Sequence, residues 1–96
     1  MDKIYIVIRE NRYKDFEEHI DTEVLCACSN RDIAFGRVQQ ACEMMQQVLT
    51  EEEVQFEVKE ANDGWRRQIK TKSQMEDRWI FYCLEMEIDA EVPNEQ

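Results

Sequence analysis

The chain is short of the residues that break structure and of those that do chemistry. It has two glycines and one proline in 96 residues. That scarcity argues against low-complexity disorder, and with only Gly36 and Gly64 there is no glycine-rich loop to cradle a phosphate. His19 is the single histidine, and no G-x-S-x-G or Cys-with-His pattern marks a nucleophile, so no enzyme is expected. No apolar run approaches the ~20 residues that span a bilayer. The N-terminal run ends at Ile8 without a small-residue cleavage site, so no signal peptide is read and a cytoplasmic protein is expected. Basic charge is scarce as well: 12 Lys and Arg stand against 22 Asp and Glu, a net charge of -10. Such a surplus repels double-stranded nucleic acid and anionic membrane and favours a basic partner, although it also serves plain solubility.

What is present is the pattern of one small folded domain, residues 1–90, followed by a short tail, 91–96, that is expected to fray. Ile4, Ile6 and Ile8 alternate with Tyr5 and Val7, a strand apolar on both faces. Residues 10–21 are polar and read as a loop, with Tyr13, Phe16 and Ile20 spaced for a single helical turn. A second strand covers Thr22 to Cys28, with Val24, Cys26 and Cys28 on one face and Leu25 and Ala27 on the other. Ser29 with Asp32 forms a capping-box pattern, and Asn30 is the alternative cap. Ala34, Val38, Ala41, Met45 and Val48 then recur at helical spacing over residues 30–50. Gly36 inside that helix implies close approach to the sheet, or a kink.

Three strands follow. Val54, Phe56 and Val58 alternate with polar residues, and Asn62-Asp63-Gly64 signals a hairpin. With Asp63 and Gly64 as turn residues, Glu60 faces Arg67, Val58 faces Ile69 and Glu57 faces Lys70, a register that matches charge with charge and apolar with apolar. After a polar connection, residues 72–77, the last strand runs from Arg78 to Ile88. The fold class expected is α+β: a mainly antiparallel sheet of about five strands with one amphipathic helix on one face, in the order β-β-α-β-β-β. The helix is expected on the face of Ile80, Tyr82 and Leu84. Trp79, Phe81 and Cys83 then lie on the uncovered face, open to the polar loop, to a partner or to a second copy in a homodimer.

The four cysteines, Cys26, Cys28, Cys42 and Cys83, sit among apolar neighbours and read as reduced thiols. A zinc or redox module drawing on Cys26, Cys28, Cys42 and His19 is an alternative, but the C-x-C pair lies on a strand and the spacing fits no zinc knuckle, so no metal or cofactor is expected. Arg66, Arg67, Lys70, Lys72 and Arg78 with Trp65 and Trp79 form a basic-aromatic stretch, yet the hairpin register pairs Arg67 and Lys70 with acids, so direct nucleic-acid binding is not expected. Carboxylates instead mark three groups: Glu10, Asp15, Glu17, Glu18, Asp21 and Glu23; Glu51, Glu52 and Glu53; and Glu85, Glu87 and Asp89. Spaced carboxylates can occupy the Lys and Arg sites that take phosphates, which makes a DNA mimic one expectation. Tyr13, Phe16, Trp79 and Phe81 are the candidate apolar contacts for a partner or a dimer.

The KIYIVI strand, the VLCACSNRDIAF strand running straight into a capped helix, and the closing RWIFYCLEMEID strand give a layout that resembles the small acidic α+β proteins of phages and mobile elements, anti-CRISPR proteins among them. The resemblance is one of layout along the whole chain and transfers no functional residue. It implies an inhibitor that binds a nucleic-acid-handling effector, such as a CRISPR effector, and blocks its nucleic-acid site or its assembly. A self-associating structural or regulatory domain is the main alternative.

Overall fold

β-branched residues crowd the N-terminal segment, and they build the centre of a five-stranded sheet. The computed structural model describes residues 2–14, 18–72 and 77–88. Its elements are β1 (Asp2–Lys14), β2 (Glu18–Cys28), α1 (Arg31–Glu51), β3 (Phe56–Ala61), β4 (Arg66–Thr71) and β5 (Asp77–Ile88). The sheet order is β2-β1-β5-β4-β3, with every neighbouring pair antiparallel. The α+β class and the element order are those read from the sequence.

Two local readings are settled at the helix ends. The N-cap is Asn30, not Ser29: its Oδ1 accepts from the N–H groups of Asp32 at 2.8 Å and Ile33 at 3.1 Å, satisfying two donors of the first turn. At the other end the N–H of Glu53 reaches the Thr50 carbonyl and that of Val54 reaches the Leu49 carbonyl, at 3.1 and 2.9 Å. This is the Schellman arrangement, and it puts Glu53 at φ 60°, a left-handed position usually held by glycine. Gly36, by contrast, is exposed and has nothing within 4 Å of where a Cβ would sit, so close approach to the sheet does not account for it. Gly36→Ala and Glu53→Gly are therefore each expected to raise stability by about 0.5–1 kcal/mol, seen as a higher urea midpoint at unchanged slope.

The β3–β4 hairpin has the register expected from charge and apolar matching: Glu60 opposite Arg67, Val58 opposite Ile69 and Glu57 opposite Lys70. Asn62 (φ 55°), Asp63 (φ 57°) and Gly64 (φ 91°) all take left-handed φ in the turn, closed by the Trp65 N–H on the Asn62 carbonyl at 3.0 Å. The turn is clamped to the start of α1. Phe35 meets Trp65 edge-on at 4.9 Å, and the Arg67 guanidinium lies over Phe35 while its Nε donates to the Gly64 carbonyl. A Cβ on Gly64 would come within 3.2 Å of both Phe35 and Arg67.

Two expectations are corrected. The polar stretch 10–21 is not a loop, for its described residues extend β1 and β2 into a long hairpin arm. Arg9 to Lys14 pair with Glu23 to Glu18, and on the other side β1 pairs with β5 out to Tyr13 opposite Asp77. Ladder bonds on both sides of β1 hold these polar residues extended without an apolar alternation. The second correction concerns the faces of the sheet. The core under α1 contains Tyr5, Val7, Val38, Cys42, Ile69 and Phe81, with Trp79 and Cys83 packed against it. The helix therefore covers the Trp79, Phe81 and Cys83 face, and the Ile80, Tyr82 and Leu84 face is the open one. A bulge in β2 moves one more residue: Val7 pairs with Cys26 but Ile8 with Val24, so Leu25 is the extra residue and borders Ala41 and Met44 of the helix.

Candidate functional site

Because side chains alternate strictly along a strand, the register assigns every described strand residue to the helix side or to the open side. Charge divides with them. On the helix side lie Asp21, Glu23, Glu60, Asp77, Glu85 and Glu87 of the strands, joined by Asp32, Glu43, Glu51, Glu52 and Glu53 from the helix and its end. The cations of that layer are engaged, Arg37 of α1 with the Gln40 side-chain oxygen at 3.3 Å. Lys3 bonds Glu85 at 3.0 Å, Arg9 bonds Glu23, Arg67 lies 3.6 Å from Glu60, and Arg31 rests over the Trp65 ring. Among the residues whose side chains are described, the open side carries Arg12, Lys59, Arg66, Lys70 and Arg78 against Glu10 and Glu57. Among those residues, an acidic chain thus keeps one net-basic face.

The open face has a polar half and an apolar half. In the polar half the Tyr82 hydroxyl donates to a Glu10 carboxylate oxygen at 2.6 Å, Arg12 holds the other oxygen at 3.0 Å, and Arg66 sits over the Tyr82 ring. This cluster lies on the face that contains Ile8 and Ile80, and Ile80 is only 1% exposed although no helix among the described residues covers it. The bond from Tyr82 is the main cause that holds the Glu10 carboxyl below its ordinary value, with Arg12 adding to it against burial; the same bond pushes the Tyr82 phenol up. Toward the other end the face becomes an exposed apolar strip of Val24 (61%), Leu84 (45%) and Met86 (50%) beside Ile4 and Ile6.

The helix side has a shelf. Beyond the last turns of α1, the arm carries Trp79 and Tyr13, both half-buried, and on the flank of α1 Met44 (60%), Val48 and Leu25 are exposed. Two hollows lie side by side, sharing Met45 and Val48 in their linings. One of about 250 Å³ runs past Leu25, Met44 and Arg9; the other, of about 470 Å³, runs past Leu49, Val54, Trp79, Glu52 and Asp77. The last turn of α1 contains no basic residue, so the negative end of the helix and Glu51 to Glu53 act in the same sense there.

The residues singled out from the sequence are thus partly brought together. Asp21, Glu23, Glu51, Glu52 and Glu53 flank the shelf that holds Tyr13 and Trp79, while Glu85 and Glu87 share the same side of the sheet at the opposite end of α1. Glu10 departs from the group: it faces the open side, tied to Tyr82 and Arg12. Phe81 is no surface anchor, being 1% exposed beneath the helix. Asp15, Phe16, Glu17 and Asp89 lie outside the described residues, as do the expected tail and the side chains of Glu18 and His19. Sequence reading saw Arg66, Lys70 and Arg78 as a basic stretch but not the face they share with Arg12 and Lys59, and it did not mark Met44, Val48 and Leu25 as surface contacts. An apolar helix stripe too wide for one sheet contact was the available signal for Met44 and Val48.

The thiols lie on the helix side. Cys26 and Cys28 stand 3.8 Å apart, and burial pushes Cys26, Cys42 and Cys83 up, away from the nucleophilic thiolate. Among the described residues no three His, Cys, Asp or Glu side chains are placed to hold a metal ion, and no helix is long and apolar enough to cross a membrane. No family model matches the chain, and neither does a curated protein or a solved structure.

Proposed function

We propose that this chain is a non-enzymatic protein-binding module that uses its acidic helix side to engage a basic, nucleic-acid-binding surface of another protein. In this reading it works in the bacterial cytoplasm as a phage-type inhibitor of the anti-CRISPR kind, occupying the site or the assembly surface of a nucleic-acid-handling effector. The observation that carries it is the segregation of carboxylates. Acids drawn from β2, β5 and the end of α1 fall on one side of the sheet, while Arg12, Lys59, Arg66, Lys70 and Arg78 fall on the other. Acids scattered for solubility alone would not sort this way, and a field of one sign steers a basic partner to one face.

The test is capture of partners on the immobilised protein from nuclease-treated lysates of bacteria that carry defence complexes. The expected result is a nucleic-acid-binding effector that elutes as salt rises to about 0.5 M, where the Debye length falls to a few ångströms. Recovery of no such effector, or retention indifferent to salt, overturns the reading. A second reading, a homodimer, is favoured by the exposed strip of Val24, Leu84 and Met86. It predicts a sedimentation coefficient that rises with concentration and a loss of that rise in Leu84→Lys.

A further inference from the structure

We propose that the shelf beside the end of α1 is the seat of a basic amphipathic helix from the partner, a helix with an apolar ridge and a Lys- or Arg-rich back. The inference rests on the acidic-module reading and names the chemistry of its partner. Three observations carry it. The first is shape. The hollows of about 250 and 470 Å³ lie side by side, sharing Met45 and Val48 in their linings, between the flank of α1 and the arm, where a second helix would lie beside the first. The second is lining. Met44, Val48 and Leu25 are exposed above a floor of Phe81 and Trp79, and methionine adapts its shape to a helix ridge. The third is charge. Glu52 and Asp77 line the larger hollow, Glu51 and Glu53 adjoin it, and the carbonyl end of α1 adds to their field.

The same facts exclude two other occupants. An added strand needs unpaired backbone, but on the floor Arg9 to Tyr13 are already paired with both β2 and β5. A second copy of α1 laid parallel to the first would bring its own Glu51 to Glu53 against those of the first, which is like-charge contact.

The test uses the full chain and a labelled 18-residue helical peptide of Leu and Lys at amphipathic spacing, with a Leu and Glu peptide of the same pattern as control. Fluorescence anisotropy is read for the wild type, Val48→Asp, Met44→Asp and, on the open face, Leu84→Asp. Each variant is exposed at its site, and retained helical circular dichroism checks folding. Attraction by charge alone predicts that an extra carboxylate leaves binding unchanged or tightens it. The shelf predicts the reverse: Val48→Asp and Met44→Asp weaken the Lys peptide about tenfold or more, and Leu84→Asp has little effect. Equal or tighter binding by both shelf variants, or equal binding of the Glu peptide, overturns the proposal. If the Lys peptide binds but the shelf variants bind it as well as wild type, the shelf falls while the acidic-module reading stands. If effector capture fails while the shelf variants lose the peptide, the acidic-module reading falls alone.

Discussion

Truncating Phe81 to alanine is expected to destabilise the protein by about 3–5 kcal/mol, the cost of deleting a fully buried aromatic ring and leaving a cavity. Phe81 is 1% exposed and packs in the cluster with Val7, Val38, Cys42 and Ile69, where sheet and helix meet. Domains of this size hold only about 5–15 kcal/mol in total, so the variant should be marginal at body temperature. Urea titration gives the comparison, with Leu84→Ala as partner, because Phe81 and Leu84 lie on opposite faces of one strand. Leu84 is half-exposed on the open side and its truncation should cost under about 1 kcal/mol. Similar costs for the two would mean that α1 does not cover the Phe81 face.

The second large effect concerns the polar cluster on the face that α1 does not cover. Tyr82→Phe removes one hydroxyl that donates to the Glu10 carboxylate at 2.6 Å. A hydrogen bond to a charged group contributes about 1.5–3 kcal/mol, and that loss is expected at neutral pH. Its pH dependence has a definite sign. Glu10 is held below its ordinary value of 4.5 by the Tyr82 bond first and then by Arg12, so its share of stability is present above pH 4.5 and is lost as pH falls through the lowered value. Tyr82 is pushed above its ordinary 10.0 by the same bond, so that share is present below pH 10.0 and is lost as pH rises through the raised value. The gap between wild type and Tyr82→Phe should therefore be flat between these limits and narrow on either side. Urea midpoints taken across the pH range check it, and a gap that persists unchanged at both extremes would remove Glu10 as the partner.

Element order and the β3–β4 register were legible because each rests on a local signal: period, cap or turn chemistry, and matched charges across a two-residue turn. The faces of the sheet were not. β1 and β5 are apolar on both sides, so Ile80 with Tyr82 and Trp79 with Phe81 each make a plausible helix contact when β5 is read alone. β4 holds the missing clue. Arg66, Gln68 and Lys70 alternate with Ile69, so only the Ile69 side can lie under a helix, and Ile69 stands opposite Trp79. Reading that clue requires the β4–β5 register, which spans a connection with no turn signature. The arm escaped notice for a different reason. Its β1 residues from Glu10 to Arg12 are polar on both faces, and what keeps them extended is pairing with β5, far away in sequence. The carboxylates were visible individually, but their sorting onto one side follows from strand register and could not precede it.

The bulge that turns Leu25 toward the helix has one more consequence. β2 is eleven residues long with a free outer margin, the kind of backbone that templates the addition of further strands and, with them, fibrils. At Val24 and Leu25 the margin kinks and loses its ladder spacing, and Asp21 and Glu23 charge the stretch beside it. A strand laid on either side of the kink falls out of phase on crossing it. The residue that helps line the shelf thus also blunts the β2 edge against the addition of a further strand.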